Sequence, residues 1–188
     1  DETVAVVTQI AAGLHAAHEL GIVHRDLKPE NIMLCAVADG SERAVVMDFG
    51  LAKERRVGAE VEKLTATGIV LGTPEFMSPE QLRGKPLDAR TDVYALALIT
   101  YEMLSGRLPF EGQSQQEIMI ARLRGEPVPL RKMRPELAFS AAVEHVLEKC
   151  LARDADKRYQ TAPEFAAALA AAATDPADRS VKDRLLHW

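Results

Sequence analysis

The chain has 188 residues, of which 47% are hydrophobic and 27% charged. These are globular proportions that exclude a disordered or fibrous chain and, at ~150 residues per domain, fit one domain with a tail. Lys and Arg number 23 against 28 Asp and Glu, a net charge of -5, and no long basic run occurs, so neither a nucleic acid nor an anionic membrane surface is indicated as a partner. The two cysteines, Cys35 and Cys150, lack metal-ligand spacing and read as free thiols in a reducing compartment. No stretch approaches the ~20 apolar residues that span a bilayer, and the acidic first residues are unlike a secretory signal.

In chain order, Val4, Val7, Ile10, Leu14 and Ala17 recur at helical spacing over residues 1–20, with Gly21 as a left-handed stop. Two apolar runs, 32–37 and 44–47, are split by Ala38-Asp39-Gly40-Ser41 and predict a β-hairpin. Residues 54–72 have little periodicity and read as a surface loop, with Lys53-Glu54-Arg55-Arg56 as a solvated start. Residues 92–105 are apolar on nearly every face before Gly106 and predict a buried central helix. Further helices are expected at 114–124 and 140–151, and a last one after Thr161, whose spacing to Glu164 makes a capping box. Residues 1–172 thus read as a mostly helical body with one small hairpin, and 173–188 as a terminal extension or linker. His15, His18 and Glu19 share one helix with no further ligand nearby, and read as surface or packing residues.

Three strings stand apart from this background: HRDLKPEN at 24–31, DFG at 48–50 after the hairpin, and GTPEFMSPE at 72–80. Each alone is weak, but their content, order and spacing match the protein-kinase set. From residue 1 to about residue 172 the chain resembles the large C-terminal lobe of a serine/threonine protein kinase. The wording HELGIVHRDLKPENIM and GTPEFMSPEQL is most similar to bacterial members. Lys28 two positions after Asp26, together with Thr73, resembles the Ser/Thr kinases and not the tyrosine kinases.

The resemblance implies ATP and Mg²⁺ as cofactors and protein hydroxyls as substrates, in a reaction dominated by positioning and charge neutralisation. It implies that Asp26 accepts or orients the proton of the attacking hydroxyl, that Lys28 offsets charge on the γ-phosphate, and that Asn31 and Asp48, at opposite ends of the hairpin, ligate Mg²⁺. Met33, with Ile99 and Met103 beneath it, is expected to form an apolar floor under adenine. His24 is expected to pack, Met33 and Phe49 to lie exposed on the side that faces the missing lobe, Glu80 to pair with Arg158, and Asp92 to brace the backbone of the His24-Arg25 turn. Arg25 is a candidate receptor for a phosphate on Thr65 or Thr67, while the Thr73 hydroxyl is expected beside Asp26 and Lys28.

A complete kinase also has a β-rich N-terminal lobe with a GxGxxG loop and a strand lysine. Neither that loop nor a Walker-type GxxxxGK[ST] occurs here, and the 23 residues ahead of His24 read as one helix. The expectation is a C-terminal lobe whose partners are its own missing N-lobe, protein substrates, and a second copy in a homodimer through the bare interface. The alternative is a catalytically silent lobe that docks proteins. The expected location is the cytoplasm, as a free protein or as the cytoplasmic part of a membrane-anchored one.

Overall fold

The computed structural model describes residues 2–38, 40–49 and 74–174. The loop expected at 54–72, the basic start of that loop, the candidate residues Thr65, Thr67 and Thr73, and nearly all of the terminal extension lie outside the described residues. What is described is mainly helical, with one two-stranded antiparallel sheet.

Helix α1, Glu2–His18, turns Val6, Val7, Ile10, Ala11 and Leu14 inward. Val4 is only partly buried, because the inward stripe starts two residues later than the spacing suggests. A Schellman pair closes the helix, with Ile22 N donating to Ala17 O at 3.0 Å and Gly21 N to His18 O at 2.9 Å. Gly21 sits at φ +73°, the left-handed conformation that this closure needs and that glycine adopts without steric penalty.

Strands β1, Ile32–Ala36, and β2, Glu42–Val46, pair with Ile32 opposite Val46 and Ala36 opposite Glu42. Gln9 of α1 hydrogen-bonds the hairpin twice: its Oε1 accepts from Ala44 N at 2.9 Å and its Nε2 donates to Glu42 O at 3.1 Å. A single amide thus serves the outer edge of β2 as a further strand would. Met33, Leu34 and Val37 stay exposed on the other strand and just beyond it.

After the short helix α2, Pro79–Leu82, the chain enters α3, Ala89–Ser105, and every residue from Thr91 to Tyr101 is buried. This helix is the core axis: α1, α6 (Ala141–Cys150), α7 (Ala162–Ala173) and the short α5 (Leu130–Met133) pack around it. It starts three residues before the apolar run, since Asp88 accepts from Arg90 N and makes Ala89, Arg90, Thr91 and Asp92 its first turn. Helix α4, Gln115–Arg124, and helices α6 and α7 are each opened by a hydroxyl cap, from Ser114, Ser140 and Thr161 respectively. Burying Leu96 and Leu98 completely contributes ~1.5–3 kcal/mol each. Among the described residues no helix is long and apolar enough to cross a membrane.

Cys150, on the inner face of α6, is fully buried with its thiol against Val93 O at 3.6 Å, and burial pushes its pKa up. Cys35, on β1, is only half-buried. Under native conditions an alkylating reagent should label Cys35 alone, with Cys150 following only in denaturant, as read by mass spectrometry. Equal labelling of both in native buffer would contradict this packing.

Candidate catalytic site

The first turn of α3 places the Asp92 carboxylate in the interior, where an ionised group is tolerated only with full hydrogen bonding. Its Oδ2 accepts from His24 N at 2.7 Å and from His18 Nε2 at 2.8 Å, and its Oδ1 accepts from Arg25 N at 2.9 Å. Arg25 sits at φ +66°, a left-handed conformation that costs a non-glycine residue ~1–3 kcal/mol. It is held there from both sides, because the other end of its backbone, Arg25 O, accepts from Gln81 Nε2 at 2.7 Å.

His24 is fully buried and joins this turn to the end of the hairpin. Its Nε2 donates to Met47 O at 2.9 Å, its Nδ1 accepts from Asp26 N at 3.3 Å, and its ring lies 4.8 Å from that of Phe49. With both ring nitrogens engaged, the imidazole serves as a strut.

Asp26 follows with its carboxylate 3.7 Å from Lys28 Nζ, each side chain about one-quarter exposed. Asn31 is buried and donates from Nδ2 to Asp26 O at 2.8 Å, which leaves Oδ1 as the end of the amide able to ligate a cation. Asn31 and Asp48 flank the two strands, but they stand at one end of the hairpin and not at opposite ends. The antiparallel register brings Ile32 opposite Val46, and Met47 N donates to Asn31 O at 2.8 Å, so both meet at its open end. Asp48 is exposed, at φ +55°. Met33 and Met103 are both exposed, whereas Ile99 is part of the core, and Phe49 is not exposed as expected but partly buried, because its ring packs on His24.

Beyond the undescribed stretch, a short turn at Pro74–Phe76 leads to α2, whose capping box joins Ser78 and Gln81 reciprocally. Glu80 then makes a two-pronged pair with Arg158, Nη1 to Oε1 at 2.7 Å and Nη2 to Oε2 at 2.8 Å, and also accepts from Thr91 Oγ1 at 2.9 Å. Arg158 also donates to Ala152 O and Arg90 O and lies over the Tyr94 ring. This pair locks α2 to the start of α3 and to the turn before α7.

The sequence pattern that defines the protein kinase domain matches residues 1–169. The chain belongs to the protein kinase domain family. It is 42% identical over 167 residues to the serine/threonine-protein kinase pkn2 of Myxococcus xanthus, covering 89% of this chain and 20% of that protein. It is 40% identical over 164 residues to PknB of Mycobacterium tuberculosis, covering 87% of this chain and 25% of that one. The crystal structure of the Mycobacterium tuberculosis PknI kinase domain superposes with a TM-score of 0.63 at 29% identity, over 90% of this chain and 54% of that one. The chain therefore spans between a fifth and a third of the curated kinases it matches, and about half of a solved kinase domain.

Three residues that support the site have no role assigned from the sequence: His18 behind Asp92, Gln81 beneath Arg25, and Arg122, a buried arginine of α4. Gln81 carried a local signal, since Ser78-x-x-Gln81 spells a capping box. His18 reads only as a surface or packing residue and Arg122 carries no signal, because their partners are distant in sequence.

Burial alone raises the pKa of Glu80, but the hydrogen bonds and charge of Arg158, with help from backbone and Thr91, hold it below the ordinary 4.5. A carboxylate lowered in the folded state contributes stability that is complete above the unfolded pKa and is lost as pH falls through the folded value. Urea unfolding should therefore show wild type losing stability below about pH 4, with that loss reduced in Glu80→Gln. Near neutral pH the variant should be less stable by ~2–4 kcal/mol. Parallel acid profiles for the two proteins would contradict the role given to this pair.

Proposed function

We propose that this chain is the larger lobe of a serine/threonine protein kinase that transfers the γ-phosphate of ATP to Ser or Thr hydroxyls of protein substrates once a small lobe is joined to it. The observation that carries the reading is the cluster at the open end of the hairpin. Asp26 stands beside Lys28, and the backbone carbonyl of Asp26 is held by Asn31, which in turn shares the hairpin's open end with Asp48. Asp26 takes up the proton of the attacking hydroxyl. Lys28, 3.7 Å away, offsets the negative charge of the moving phosphoryl group.

Asn31 and Asp48 offer hard oxygen donors of the kind Mg²⁺ prefers, and Asn31 is already oriented by its bond to Asp26 O. A Mg²⁺ held by Asn31 and Asp48 would neutralise phosphate charge. Exposed Met33 and Met103 supply apolar surface for the adenine ring and for the small lobe. The same bare surface favours self-association when that lobe is absent. The threonines proposed as regulatory, Thr65 and Thr67, act through Arg25 because a phosphate offers a guanidinium two charge-assisted hydrogen bonds.

The isolated chain should show no turnover with ATP, Mg²⁺ and a generic protein substrate, and joining a kinase small lobe should restore transfer at ~1–100 s⁻¹. Asp26→Asn in the joined protein should lower transfer by ~10²–10⁴-fold with little change in thermal stability, as the side chain is partly exposed. Undiminished transfer by Asp26→Asn, in a radiolabel assay with purified substrate, would overturn the assignment.

A further inference from the structure

Helix α4 lies on the surface and buries only Met119 and Arg122. The buried arginine is the more expensive of the two, because burial works against its charged form. Among the described residues no carboxylate forms an ion pair with it. Its guanidinium instead donates from Nη1 to Pro74 O at 2.7 Å and Met77 O at 2.9 Å, and from Nη2 to Glu75 O at 2.6 Å, while lying 5.5 Å from the centre of the Phe110 ring. One planar fork thus satisfies three carbonyls of a single short turn. An apolar side chain of similar volume would avoid the burial penalty but leave those carbonyls unpaired.

The other side of that turn faces the catalytic loop. Phe76 and Met77 line the same small cavity as Arg25, Asp26, Lys28 and Gln81. A substrate hydroxyl approaching Asp26 therefore comes in against this turn. The turn is fixed from two directions, through Gln81 to Arg25 O and through Arg122 to its own carbonyls.

We propose that Arg122 is a positioning residue that sets the distance between the Pro74–Phe76 turn and Asp26, and so seats the substrate protein for phosphate transfer. This role rests on the kinase function proposed above. A displacement of ~1 Å at such a wall costs on the order of 10²-fold in rate.

The test compares wild type, Arg122→Leu and Arg122→Lys in the full-length protein, using one peptide substrate and ATP, with backbone amide exchange at Met77 and Ser78 as a readout that needs no catalysis. Arg122→Leu should raise KM for the peptide about 10-fold and lower kcat/KM for it by ~10–100-fold. KM for ATP should stay unchanged, and exchange at Met77 and Ser78 should be faster. Arg122→Lys should recover part of both effects, since an ammonium can serve some of the same carbonyls. Unchanged peptide kinetics in Arg122→Leu from an active wild type would overturn the proposal, as would an equal rise in both KM values with a general loss of exchange protection. No transfer by wild type would overturn the kinase reading itself, and the positioning role with it.

Discussion

A buried carboxylate must satisfy its oxygens or destabilise the fold by several kcal/mol, and Asp92 meets that requirement with the backbone of the His24-Arg25 turn and the His18 ring. Because Asp92 belongs to the first turn of the helix around which the others pack, the His24-Arg25 turn inherits the rigidity of the core. If His24 N and Arg25 N moved away, Asp92 Oδ1 would lose its backbone donor and Oδ2 would keep only His18. The arrangement places Asp26, one residue further on, at a fixed point relative to α3.

From that anchor the geometry spreads through His24. Its two ring nitrogens tie Met47 O to Asp26 N, and Met47 N returns to Asn31 O, so the strand that delivers Asp48 and the loop that carries Asp26 share one hydrogen-bonded frame. Arg25 and Asp48, the non-glycine residues at positive φ among the described residues, lie at the joints of this frame. Such conformations persist when the surroundings over-determine them. At Arg25 the determinants are explicit, with Asp92 on one end of its backbone and Gln81 on the other. A buried ion pair, Glu80 with Arg158, holds α2 in place so that Gln81 can reach Arg25 O.

Local chemistry made much of this legible in the sequence. Hydroxyl caps at Ser114, Ser140 and Thr161 mark where their helices begin, the Ala38–Ser41 stretch marks the hairpin, and the continuous apolar run after Asp92 marks the buried axis. What escaped depends on partners far along the chain. His18 reads as one more polar residue on α1 until Asp92, 74 positions later, is folded against it. Arg122 looks like an ordinary charge on a surface helix, although its partners lie 45 to 48 positions earlier. The spacing of Asn31 and Asp48 suggests opposite ends of a hairpin because sequence distance carries no strand direction, whereas pairing of Ile32 with Val46 returns them to one end. The start of α3 moved to Ala89 because a cap at Asp88, and not hydrophobicity, sets a helix boundary.

The most direct test of the anchoring role of Asp92 is native-state hydrogen exchange at the amides of His24 and Arg25. If Asp92 pins the His24-Arg25 turn to the core, both amides should exchange at least ~10³-fold more slowly than in an unstructured peptide, opening only with global unfolding. In Asp92→Asn their protection should collapse, while the interior of α7 stays protected. Exchange of both amides at loop-like rates in the wild-type protein would contradict the account.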